Sequence, residues 1–118
     1  MGPFNPGQIL LVDWRGDALP KEPNKLRPCV VIESPDLFDE LYPNVLVVPL
    51  TDDRAYVIPA LSVEIAPSPQ NGCAKTCYAV SHAVTTASKQ RVGTVTASQI
   101  TPEQVEQIRL QVAESIGL

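Results

Sequence analysis

The stretch TPEQVEQIRLQVAESIGL, residues 101–118, is where the chain changes its apolar period. Val105, Ile108, Val112 and Ile116 recur at spacings of three and four, which places them on one face of a helix. Thr101 reads as the N-cap. Pro102 takes the first helical position, where its missing N–H costs nothing, and Gln104 completes a capping box. Gly117 supplies the stop. Together these signals predict a helix over residues 102–116.

Upstream the period is that of strands. QILLVDW (8–14), CVVI (29–32), VLVVPL (45–50), LSVEI (61–65), TCYAV (76–80) and VGTVTA (92–97) are short, apolar and rich in β-branched residues. Clusters of Pro, Gly, Asn and Asp separate them. Residues 15–26 form one long loop, ESPDLFDELYPN (33–44) forms a second, and APSPQNG (66–72) is a turn built on Asn71-Gly72. Five to seven short strands and one terminal amphipathic helix predict a mainly β fold, a small barrel or strongly bent sheet with the helix covering one side. At 118 residues and 44% apolar content the chain suits one domain, 1–118, with a real core. No apolar run approaches the roughly 20 residues of a membrane span. MGPFNPGQ has no basic region followed by an apolar one. The expectation is a cytoplasmic protein without a membrane partner.

The net charge of -4 argues weakly against a nucleic-acid partner. The distribution says more. From Ala66 to Pro102 there is no Asp or Glu, yet Lys75, Lys89 and Arg91 lie there. A second basic group, Lys21, Lys25 and Arg27, is diluted only by Glu22. These charges read either as a locally positive face or as scattered solvated side chains.

The chemistry available is narrow. Cys29 sits inside an apolar run and reads as a core residue. Cys73 and Cys77 have CxxxC spacing but, with one histidine in the chain, no second ligand pair for zinc. Free thiols are expected, with a local disulfide as the alternative. His82 is the sole histidine and suits proton transfer near neutrality, against a structural role in a hydrogen bond. Thr51 closes VVPLT, where a hydroxyl either binds a ligand or caps its own turn. Arg27, before Pro28 and the run CVVI, reads either as an ion-pair partner of Asp13 or Glu33 or as a phosphate ligand. No Gly-rich phosphate loop and no GxSxG elbow occurs, so neither cofactor nor metal is expected.

GQILLVDW, a charged loop, RPCVVI, VVPLT, TTASKQRVG and a C-terminal helix, in that order, resemble the PemK/MazF toxins of bacterial toxin–antitoxin systems. The resemblance runs from about Gly7 to Gly117. It implies an SH3-like β-barrel of the CcdB/MazF type, usually a homodimer, that cuts single-stranded RNA without a metal and is neutralised by a cognate antitoxin. By position it implies that Arg27 contacts the scissile phosphate with Thr51 beside it. Lys21 and Glu22 would lie in the loop over RNA and antitoxin, and Lys25, Lys75, Lys89 and Arg91 would add RNA contacts. Some relatives carry an Asp as proposed base where His82 falls here. The common Arg-Thr-Ile-Asp stretch is Thr85-Thr86-Ala87-Ser88 in this chain. Two other readings share the fold: a non-catalytic member that binds antitoxin or RNA, and a gyrase-poison toxin. The latter relies on C-terminal aromatic residues, which RLQVAESIGL lacks.

Overall fold

The computed structural model describes residues 4–14 and 26–118. Its strands are β1 (Gln8–Asp13), β2 (Leu26–Val31), β3 (Asn44–Thr51), β4 (Ser62–Ile65), β5 (Cys77–Val80), β6 (Thr85–Ser88) and β7 (Val92–Gln99), followed by helix α1 (Pro102–Ser115). All pairings are antiparallel, in the order β4-β5-β3-β2-β1-β7, with β6 also on β3. β3 is the hub. Its first half pairs with β6 (Val45↔Ala87) and its end with β5 (Thr51↔Tyr78). The 3-10 turn Ser81–Ala83 carries the chain from one partner to the other. The result is a mainly β, barrel-like sheet with one C-terminal helix. It stays open, because among the described residues no strand pairs β4 with β7.

Alternation along the strands gives the sheet two apolar faces. Ile9, Val30, Val48 and Leu50 face Ile100, Val105 and Ile108, so α1 covers this side. Leu10, Val12, Cys29, Val31 and Val47 form the other cluster, against Phe4, Trp14 and Val92. The helix starts as its sequence predicts: Thr101 Oγ1 accepts from Gln104 N at 3.1 Å, and Gln104 Oε1 accepts from Thr101 N at 2.9 Å. Gly117 ends it with a φ of +89°. Arg109 clips the helix to the end of β2 through Nε to the Ile32 carbonyl and Nη2 to the Glu33 carbonyl, both 3.0 Å.

Several expectations change. Ile116 is 69% exposed, whereas Gln111 is buried on the packed face. Gln111 bridges two elements, accepting from Ser81 Oγ at 2.6 Å and donating to the Ser62 carbonyl at 3.2 Å. β6 is a strand the periodicity missed, since TTAS alone shows no apolar alternation. β2 begins at Leu26, so Arg27 and Pro28 lie inside the strand, opposite Val12 and Leu11 of β1. Pro28 is tolerated because the β2–β3 ladder ends at Cys29↔Pro49. Two prolines thus stand where the ladder stops, and the missing N–H groups fall at its edge.

Candidate functional site

Beyond Cys29↔Pro49 the ends of β2 and β3 no longer pair, and a cleft of about 670 Å³ opens there. That size suits a small ligand or part of a larger one. Leu26, Arg27 and Pro28 line one side, and Leu50, Thr51 and Asp52 the other. Ile9 and Leu11 add apolar surface from β1, and the segment Asn71–Lys75 with Cys77 closes the wall.

That wall is built by one asparagine. Asn71 is buried, donates Nδ2 to the Ala66 carbonyl at 2.8 Å, and accepts at Oδ1 from Ser68 N (3.1 Å) and Cys73 N (2.9 Å). Gly72, next to it, has a φ of +65°, a conformation that favours glycine. The turn read from Asn71-Gly72 is therefore also a scaffold that brings Lys75 to the cleft.

Lys75 Nζ meets Asp52 Oδ2 at 2.6 Å. The hydrogen bond and charge of Lys75 hold the Asp52 carboxyl below its ordinary range, and Asp52 in turn holds the Lys75 ammonium above its own. Thr51 Oγ1 accepts from Asp53 N at 3.0 Å. The hydroxyl caps its own turn, yet its proton stays available for donation, since a hydroxyl both donates and accepts. Arg27 is half-buried and lines the cleft. Glu33 accepts from Leu46 N at 3.0 Å.

Arg27, Thr51 and Lys75 thus share one cleft. His82 is not among its lining residues; it is exposed on the Ser81–Ala83 turn, which packs on α1. Lys89 donates to the Asp39 and Glu40 carbonyls (3.5 and 3.2 Å) and sits 5.7 Å from the Phe4 ring centroid, pinning the loop before β3. Arg91, on the same 3-10 turn as Lys89, is exposed and does not line the cleft. The acid-free segment is therefore not one positive face. Lys21, Glu22 and Lys25 lie outside the described residues. Sequence reading passed over Asp52, although it directly follows Thr51. It also left Cys73 and Cys77 without a place near the site. Among the described residues no group of three His, Cys, Asp or Glu could hold a metal ion. No helix there is long and apolar enough to cross a membrane.

The family model for the PemK-like, MazF-like toxin of type II toxin–antitoxin systems matches residues 5–116. The chain belongs to this PemK/MazF toxin family. Solved structures share its fold. MazF from Deinococcus radiodurans superposes with a TM-score of 0.71 at 15% identity, covering 97% of this chain and 96% of that one. The Mycobacterium tuberculosis toxin MazF-mt6 gives 0.69 at 16% identity, covering 94% and 97%. A mycobacterial endoribonuclease solved in complex with its cognate antitoxin gives 0.70 at 19% identity, covering 96% and 94%. At these identities the likeness concerns the fold. Among curated protein sequences nothing matches. Within the PemK/MazF family, the cleft at the β2–β3 ends is the candidate site of this member.

Proposed function

We propose that this chain is the toxin of a type II toxin–antitoxin pair and acts as a metal-independent endoribonuclease on single-stranded RNA. Its single domain, 1–118, would work in the cytoplasm as a homodimer and cause growth arrest unless a cognate antitoxin covers it. The observation that carries this reading is a family match over residues 5–116 joined to a cleft lined by Arg27, Thr51 and Lys75.

The chemistry follows from the RNA backbone. The 2′-oxygen attacks the adjacent phosphorus, its proton leaves to a base, and the 5′-oxygen departs with a proton from an acid. The products are a 2′,3′-cyclic phosphate and a 5′-hydroxyl. DNA has no 2′-hydroxyl and does not react. Arg27 and Lys75 offset the charge that builds on the phosphoryl oxygens, and the Thr51 hydroxyl adds a hydrogen bond. Because His82 stands outside the cleft, proton transfer falls to Asp52 as base and Lys75 as acid. Each is poorly matched to neutral pH, since their pairing drives the two pKa values apart. Charge stabilisation would then supply most of the rate, and turnover would be slow.

The test is incubation of the purified protein with a long single-stranded RNA in excess EDTA, with the ends mapped. Cuts that leave 5′-hydroxyl ends are expected. Intact RNA across varied sequences would reject the ribonuclease and favour a member that only binds. Arg27→Ala should lower the cleavage rate by roughly 10²- to 10³-fold, the usual cost of losing one donor to a developing oxyanion. His82→Ala should leave it within a small factor. A loss with His82→Ala as large as with Arg27→Ala would return the proton-transfer role to the histidine.

A further inference from the structure

The Cys73 and Cys77 sulfurs stand 3.7 Å apart, and both residues line the cleft. They are held from opposite ends. Cys73 N donates to Asn71 Oδ1 at 2.9 Å, and its Sγ lies 3.8 Å from the Asn71 carbonyl. Cys77 opens β5, paired with Ile65 of β4. The residues between them, Ala74, Lys75 and Thr76, belong to no strand or helix. A disulfide has a bond length of about 2.0 Å, so the sulfurs must close by under 2 Å. A short irregular segment can absorb that movement without disturbing the sheet. Cys29, the remaining thiol, is fully buried in the second apolar cluster, and burial pushes it up to about 12. No third ligand of the metal-binding types joins the pair among the described residues.

We propose that Cys73 and Cys77 form an oxidisable dithiol in the cleft wall, which a low-molecular-weight disulfide of the glutathione class closes to an intramolecular disulfide. The order of attack follows from the environment. Burial, then the hydrogen bond and charge of Cys73, push the Cys77 thiol up to about 12, so it stays protonated near neutrality. Cys73, which lies outside the strand while Cys77 is fixed as the first residue of β5, is therefore the sulfur that attacks first. Its sulfur attacks one sulfur of the small disulfide, forms a mixed disulfide and expels one thiolate. Cys77 then gives up its proton and attacks the Cys73 sulfur, which releases the second thiol. Two electrons pass to the small disulfide, and the two protons end on the two released thiols.

Closure ties Lys75 into a ring between the two linked positions. On the ribonuclease reading, on which this consequence rests, a restrained Lys75 no longer follows the phosphate, and RNA cleavage falls. The experiment treats the fully reduced native protein with glutathione disulfide, quenches it with acid and counts thiols by mass. A drop from three free thiols to one, in a product two hydrogens lighter with Cys29 still free, supports the proposal. Cys73→Ser and Cys77→Ser should each abolish the internal bond. Three persistent thiols in the native protein, or a lasting glutathione adduct in place of the internal bond, would overturn it. Cleavage that falls on oxidation and returns with dithiothreitol supports control of the cleft; cleavage unchanged in fully closed protein overturns that control. A reduced protein that never cuts RNA would sink the ribonuclease reading alone, because the thiol count still decides the dithiol.

Discussion

Asp52 and Lys75 show how a single exposed pair sets the state of the cleft. Their side chains are 52% and 74% exposed, so solvent screens the pair and its weight in folding is slight. Its weight in the proposed chemistry is larger. The depressed Asp52 carboxyl keeps its charge as pH falls through 3.8 and loses it only below that point. The raised Lys75 ammonium keeps its charge as pH rises through 10.5. The ion pair therefore spans the neutral range and breaks only below 3.8 on the acid side and above 10.5 on the basic side. Carbon-detected NMR titration should find Asp52 ionising below an ordinary aspartate, and Lys75→Met should restore the ordinary value. An Asp52 that titrates normally in the native protein would remove the pair from solution. In cleavage assays Asp52→Asn should slow the reaction, while a faster reaction would recast Asp52 as a brake that holds Lys75 away from phosphate.

The helix was the most legible element because its signals are local. Thr101, Pro102 and Gln104 lie within one turn, and the cap they form is the one they spell. Thr101→Ala should cost about 1 kcal/mol in chemical denaturation, the usual value of an N-cap. Gln111 was illegible for the opposite reason. A glutamine among apolar positions reads as exposed until Ser81 and Ser62 arrive from elsewhere in the chain. Gln111→Leu strands the fully buried Ser81 hydroxyl and removes a bond from the Ser62 carbonyl. It should cost about 2 kcal/mol or more, since each buried unpaired polar group carries a desolvation penalty of about 1–3 kcal/mol. A neutral result would mean that water reaches both groups. The same contrast governs the site. Arg27 and Thr51 stand out in the sequence through RP and VVPLT, and both line the cleft. The start of β2 was not legible, because only the partner strand β1 shows that Leu26 to Pro28 are already paired. His82 and Lys75 share one acid-free segment, yet the fold sends the first to the helix side and the second to the cleft.

The whole molecule carries a net charge of -4, while its cleft offers Arg27 and Lys75 beside Asp52. A protein of this charge has no long-range field to gather RNA, so on the proposed ribonuclease reading binding rests on a few short contacts. Counterion release makes the number of those contacts measurable. Each phosphate neutralised on a single strand contributes about -0.7 to the slope of log K against log salt. Two contacts, from Arg27 and Lys75, predict a slope near -1.4 for a short labelled RNA followed by fluorescence anisotropy at fixed pH. Lys75→Met should bring it to about -0.7, and Arg27→Ala should do the same while also slowing cleavage. A slope of about -4 or steeper would mean that a larger basic surface takes part. A slope indifferent to Lys75→Met would leave the lysine wholly engaged with Asp52, with Arg27 as the phosphate contact of the cleft.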